Sequence, residues 1–172
     1  MKFFKTVGVD ELKNLLNSIQ KIDLEQEQIP IDQAFNRVLA QEIISKIEVP
    51  HFRKSRMDGY AVLAEDTFNA DENNEIPLKL IEVIKAGDKP SIPLKRGQCS
   101  YVATGSAIPD GANGVVMVEY TERKEDMIYV SQAITPGTYV INIGHDIKKD
   151  QVIISKNTLV DLPTIGVLAS CG

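Results

Sequence analysis

Cysteine and histidine are scarce in this chain, two of each in 172 residues. Cys99 and Cys171 are too few and too far apart to build a disulfide framework or a zinc site, so both read as reduced thiols. Neither His51 nor His145 stands beside a serine or cysteine in an activating motif, which removes the usual nucleophile and base pairings. No apolar run approaches the length needed to cross a bilayer, and Met1–Lys5 lacks the continuous apolar stretch of a signal peptide. A soluble, cytoplasmic protein is expected. Positive charge is also in deficit. At a net charge of -5, the short cationic run of Arg53, Lys54 and Arg56 does not make a nucleic-acid surface, and small anions are the expected partners.

Apolar residues, by contrast, make up 43% of the chain, enough core for one domain or two small ones. Val9, Leu12, Leu15, Leu16, Ile19 and Ile22 recur at helical spacing, with Asp10 and Glu11 at the positive end of the helix dipole. Asp32 is placed to cap a second helix carrying Ala34, Phe35, Val38 and Leu39. Alternation from Glu42 to Val49 predicts a strand, and Pro50 holds the residue before it extended. A polar, Asn-rich surface loop is expected from Glu65 to Glu75. Short strands follow over Leu78–Ile84, Cys99–Ala103, Val115–Tyr120, Met127–Val130, Thr138–Ile143 and Gln151–Ser155. Asp161–Ala169 reads as a short helix with Pro163 in its first turn. The pattern predicts a mixed, mostly β fold with short N-terminal helices, a small barrel or sandwich rather than alternating β and α units.

Three stretches carry more information than packing requires. Ser55-Arg56-Met57-Asp58-Gly59-Tyr60-Ala61-Val62 sets an acid beside a glycine, and Gly59 supplies either positive φ or close backbone approach. Asp-Gly is also an ordinary turn dipeptide. Ala103-Thr104-Gly105-Ser106 through Gly111 and Gly114 has the glycines to cradle an anion through backbone N–H groups, but no Gly-Lys-Ser/Thr ending of a nucleotide loop. Its plainer reading is a turn at the end of a strand. The third stretch is Asn142-Ile143-Gly144-His145-Asp146-Ile147. Asp58 and Asp146 are hard oxygen donors of the kind that hold magnesium near phosphate, although their separation in sequence is not a metal-binding spacing.

Together the three stretches resemble, in order and spacing, the signatures of the molybdopterin molybdenumtransferases of the MoeA and gephyrin type. The resemblance runs from the first helix to the last residue, with Asn36 where a glycine is usual. It implies a two-lobed fold of coiled β-sheets, with residues 1–51 and 134–172 forming an elongated dimerisation domain and 52–133 an inserted, barrel-like β domain. It also implies insertion of molybdate into adenylylated molybdopterin, with Mg2+, at a cleft between the subunits of a homodimer. Asp58, Thr104 and Asp146 match residues in or near that cleft, with Asp58 and Asp146 as candidate metal ligands. Ser55, Met57, Gly59, Gly105 and Ser106 are the candidates for substrate contact, while Met57 and Tyr60 also read as packing. Lys54 and Arg56 read as solvated cations that add positive field. The pterin-binding domain of the family lies outside this sequence, so the chain is expected to be silent alone. A reading from another class is a non-catalytic dimerisation, assembly or oxyanion-binding module of the same fold.

Overall fold

The computed structural model describes residues 6–19 and 24–171. Helix α1 (Val9–Ser18) follows the predicted periodicity and stops where Ile19 turns extended. Ile19, expected in the helix, is therefore outside it, and the rest of the expected helix, residues 20–22, lies outside the described residues. In chain order there follow β1 (Ile43–Ile44), β2 (Lys54–Ser55), β3 (Gly59–Val62), β4 (Ile76–Ile84) and β5 (Gln98–Val102), then β6 (Gly114–Met117), β7 (Thr121–Lys124), β8 (Met127–Val130), β9 (Val140–Ile141), β10 (Val152–Ile154) and α2 (Leu162–Cys171).

The second predicted helix does not form. Only a 3-10 turn, Ile31–Gln33, stands there, preceded by Pro30 rather than capped by Asp32. Asn36 takes φ 61, a left-handed conformation that ends helical growth and that asparagine tolerates better than most residues. The Glu42–Val49 strand likewise shortens to β1, paired antiparallel with β10, and one bridge between Val49 and Ile147. Between them the Ser45 hydroxyl donates to the Ile47 carbonyl at 2.7 Å and bends the chain.

Strands β3 to β8 build one curled, half-barrel sheet in the order β6-β3-β5-β4-β8-β7. All its pairings are antiparallel except β4 with β5. Period-two alternation gives it two apolar faces. Tyr60, Val62, Cys99, Val116, Ile128 and Val130 pack on one; Ala61, Val102 and Val115 pack on the other, under Leu94 and Ile108. Tyr60 and Tyr101, directly opposite in register, meet edge to face at 5.7 Å. In β4 a bulge between Leu80 and Glu82 shifts the register by one residue. Leu78 therefore serves the first face and Ile84 the second, which strict alternation would forbid. Full burial of each such side chain contributes about 1.5–3 kcal/mol.

Two sequence readings need correcting here. The segment from Glu65 to Glu75 is only partly a surface loop, because a 3-10 turn over Ala64–Thr67 buries Ala64 and Thr67. The Thr67 hydroxyl donates to the Ala64 carbonyl at 2.8 Å and accepts from the Ile134 N–H at 3.0 Å, so its polarity is satisfied inside. The strand expected over Val115–Tyr120 ends at Met117, turns through Val118–Tyr120, and restarts as the charged edge strand β7. Charge on an edge strand discourages pairing with other chains. Both thiols are free, as expected, and buried, and burial pushes the Cys99 pKa up to about 12, which leaves it protonated and inert. By contrast, Val9, Leu12, Leu15 and Leu16 on α1 are exposed, Val9 by 70%.

Gly59 is required by space. A Cβ there would stand 2.1 Å from the Val116 carbonyl oxygen, so Gly59→Ala is expected to lower the unfolding free energy by about 1–3 kcal/mol. Inside α2, a Cβ on Gly166 would meet nothing within 4 Å. Gly166→Ala is therefore expected to raise stability by about 0.5–1 kcal/mol. Urea unfolding of the two variants checks the opposite signs.

Candidate functional site

The first and second motifs form one unit. The Ser55 N–H donates to the Ser106 carbonyl at 2.9 Å, and the Gly105 N–H donates to the Ser55 carbonyl at 2.8 Å. One step earlier the Ile108 N–H donates to the Arg53 carbonyl at 2.9 Å. The Arg53 guanidinium extends the attachment, donating to the Ala112 carbonyl at 2.9 Å and to the Pro109 carbonyl at 3.4 Å. After Ser55 the chain turns. The Ser55 hydroxyl donates to the Met57 carbonyl at 2.6 Å and accepts from the Met57 N–H at 3.3 Å, and β3 begins at Gly59.

Register then sets the acid. Gly59 lies opposite Val102, so Asp58, just before β3, meets the residues just after β5. Asp58 Oδ1 accepts from the Thr104 N–H at 2.6 Å and from the Thr104 hydroxyl at 2.9 Å. Both bonds fall on one oxygen, and among the described residues Oδ2 has no hydrogen-bond partner. The carboxylate thus does not cap its own Asp-Gly turn; it reaches across to the second motif. The backbone donor of Thr104, followed by its hydroxyl, holds the Asp58 pKa below the ordinary aspartate value. Asp58 and Thr104 are both exposed, so this ionised group faces solvent.

The third motif joins through the segment before the first. The Gly144 N–H donates to the Pro50 carbonyl at 2.9 Å, and the Asp146 and Ile147 N–H groups donate to the Val49 carbonyl at 2.9 and 3.1 Å. Gly144 needs its φ of 66 for this loop. Strand β2 pairs with β9, and the Arg56 N–H donates to the Tyr139 carbonyl at 2.9 Å. Asp146 and Arg56 therefore line one cavity, together with His145 and Tyr139. Among the described residues no hydrogen bond joins the Asp146 side chain to Asp58 or Thr104.

The other candidates divide by burial. Ser55, Gly59 and Ser106 are buried, and the Ser106 hydroxyl is committed to the Ala103 carbonyl at 2.7 Å. Met57 is half-buried, and Gly105 is exposed with φ 81. The N–H groups of Thr104, Gly105 and Ser106 go to Asp58, Ser55 and Ala103 respectively, so these three amides form no open cradle for an anion. Gly111 instead serves close packing, its absent Cβ leaving room 2.2 Å from the Leu94 carbonyl oxygen. Among the described residues no group of three or more His, Cys, Asp or Glu is gathered to hold a metal ion. Sequence reasoning missed Arg53 as an organiser of the second motif. Its carbonyl partners lie in a distant segment, and its neighbours Lys54 and Arg56 made it look like one of a solvated run.

The half-barrel sheet, with two loop motifs tied at its β3 and β5 ends and a third held by Val49 and Pro50, has the architecture of an N-terminal region of the MoeA type. The chain belongs to that family: the profile described as the MoeA N-terminal region (domain I and II) matches residues 7–172. A Methanocaldococcus jannaschii protein named for molybdopterin biosynthesis is 34% identical over 172 residues, covering all of this chain and 40% of its own. Molybdopterin molybdenumtransferase 2 of Mycobacterium tuberculosis is 32% identical over 144 residues, 84% of this chain and 36% of its own. The crystal structure of the molybdopterin biosynthesis moeA protein from Pyrococcus horikoshii OT3 superposes with a TM-score of 0.88 at 38% identity, covering 95% of this chain and 43% of that one. The chain thus spans about two-fifths of the length of these relatives. No described helix is long and apolar enough to cross a membrane.

Thr104→Val removes one of the two donors to Asp58 and keeps the other. The Asp58 carboxyl, followed by its 13C shift, is expected to titrate at higher pH in the variant than in the wild type. A depressed folded-state pKa contributes stability above the unfolded value, and this is lost as pH falls through the folded one. The stability gap between the two proteins should therefore be widest near neutrality and close in acid.

Proposed function

We propose that this chain is the N-terminal part of a molybdopterin molybdenumtransferase and supplies one wall of a site completed by segments that its longer relatives contain. The observation that carries this reading is the Asp58 carboxylate, exposed, kept ionised and fixed by Thr104 through a single oxygen. A fixed negative charge with one free oxygen is suited to orienting a cation or a hydrogen-bond donor of the substrate. Substrates in this reading are molybdate and adenylylated molybdopterin. Thr104 locks the Asp58 rotamer, and the buried hydroxyls of Ser55 and Ser106 shape the turns that present the pair. In this reading residues 1–51 and 134–172 form one domain and 52–133 the other, and the protein works in the cytoplasm.

Magnesium fits this donor set only as a cation shared between the chain and the substrate. The cation keeps several waters and takes one or two carboxylates plus substrate phosphate oxygens, and among the described residues no three His, Cys, Asp or Glu gather to hold a metal by themselves. Asp58 and Asp146 would each contribute one, and the metal would neutralise developing phosphate charge. The exposed apolar stripe of α1 supports a homodimer in which part of this chain is covered by a second copy. Binding of the pterin falls to the segments outside this chain, so the chain alone is expected to release no adenylate.

In the longer protein, Asp58→Asn retains an acceptor for Thr104 and removes the charge. Molybdenum insertion is expected to fall about a hundredfold or more, with the dimer intact and the melting temperature only slightly lowered at neutral pH. Wild-type insertion rates in a stable variant would reduce Asp58 to a structural tie between two loops.

A further inference from the structure

The second face of the half-barrel carries one polar pair among its apolar side chains. Glu82 and Ser100 lie directly opposite each other in the register of β4 and β5, and Ala61 stands opposite Ser100 on the other side. All three therefore share the face that Leu94 covers. Ser100 is fully buried and Glu82 half-buried. One oxygen of the Glu82 carboxylate is satisfied, since Oε1 accepts from the Ser91 N–H at 3.0 Å and from the Ser91 hydroxyl at 2.6 Å. The other oxygen, Oε2, and the Ser100 hydroxyl are both buried without a hydrogen-bond partner among the described residues. They are not bonded to each other, although neighbouring strands run only about 4.8 Å apart. None of the ion pairs among the described residues involves Glu82.

We propose that a single ordered water molecule bridges Glu82 Oε2 and the Ser100 hydroxyl. Water donates one hydrogen to the carboxylate oxygen and accepts the Ser100 O–H, so both buried atoms are satisfied at once. A calcium or magnesium ion needs a fuller set of oxygen ligands than these two atoms supply, and an anion would meet the carboxylate. A bridging water is nearly as favourable as a direct hydrogen bond, whereas a buried hydroxyl or carboxylate oxygen left without a partner is costly. The position bears on the second motif. Ser91 and Leu94 belong to one strap, residues 90–94, that lies over the second face of the sheet. The Leu94 N–H donates to the Asp110 carbonyl at 2.7 Å, and the Leu94 carbonyl lies close against Gly111. Through Glu82 and Ser91 the water fastens to the sheet the strap on which the far half of the second motif rests. This inference does not depend on the transferase reading.

The direction of one substitution tests this. With the water in place, Ser100→Ala removes one of its two partners, and the folding equilibrium constant is expected to fall about two- to tenfold. Were the hydroxyl a true orphan, the same change would relieve a buried unsatisfied group and the constant would rise. Urea unfolding of the full chain reads the sign. A crystal structure of the wild-type chain that shows ordered water then identifies the bridge, with one density peak expected about 2.7–3.0 Å from both Glu82 Oε2 and Ser100 Oγ. A Ser100→Ala protein as stable as the wild type or more so, a direct bond from the Ser100 hydroxyl to Oε2, or the absence of a peak between them would each overturn the proposal.

Discussion

Backbone pairing between Ser55 and the Gly105–Ser106 turn is the constraint on which the rest of the site depends. Two hydrogen bonds of ordinary length join segments that are far apart in sequence, and each contributes only about 0.5–1.5 kcal/mol net. Their importance lies in what they align. With Ser55 fixed on one side and Gly59 registered against Val102 on the other, the intervening turn has little freedom. Asp58 is delivered to Thr104 as a consequence. The glycine after it is equally constrained, because β3 runs close against β6 at that point and leaves no room for a side chain. The Met-Asp-Gly order is thus a packing requirement and a charge placement at once.

Electrostatics follow from that geometry rather than from burial. Asp58 is solvent-exposed, and its depressed pKa comes from two donors on a single residue. Such a carboxylate stays charged and keeps one oxygen available without the desolvation cost that a buried acid would carry. The third motif is tied to Val49 and Pro50 and brings a second acid, Asp146, beside a cation and an imidazole. The same covalent stretch, residues 49–59, therefore organises both groups of charges.

Much of the architecture was legible in the sequence where periodicity decides structure. The amphipathic α1, the strand at Met127–Val130 and the closing helix stand where the pattern placed them. Failures have local causes. The second helix is lost to the left-handed Asn36, a residue whose backbone angle no hydrophobic pattern reveals. Strand β7 was invisible because Thr121-Glu122-Arg123-Lys124 is polar, as an edge strand can be. The bulge in β4 reverses which side chains face which core, and only the pairing with β5 shows it. At the site, the motifs identified which loops matter, and their resemblance to a known family agreed with the fold. Their internal wiring could not be read. Whether Asp58 caps its own turn or bonds Thr104, and whether the amides of the second motif are open or spent, depend on contacts between distant segments. Arg53 is the clearest case, since sequence offers no sign that its guanidinium holds the carbonyls of Pro109 and Ala112.

Native-state amide hydrogen exchange tests most directly whether the first two motifs form one cooperative unit with the sheet. If they do, the Ser55, Gly105 and Ile108 amides open only when the sheet opens. Their protection should then equal that of Val62 and Cys99 in strands β3 and β5, although Gly105 is exposed and lies in a loop. Exchange at Ser55 and Gly105 many-fold faster than in those strands would show that the loops open independently, and the account of a preset Asp58 would be contradicted.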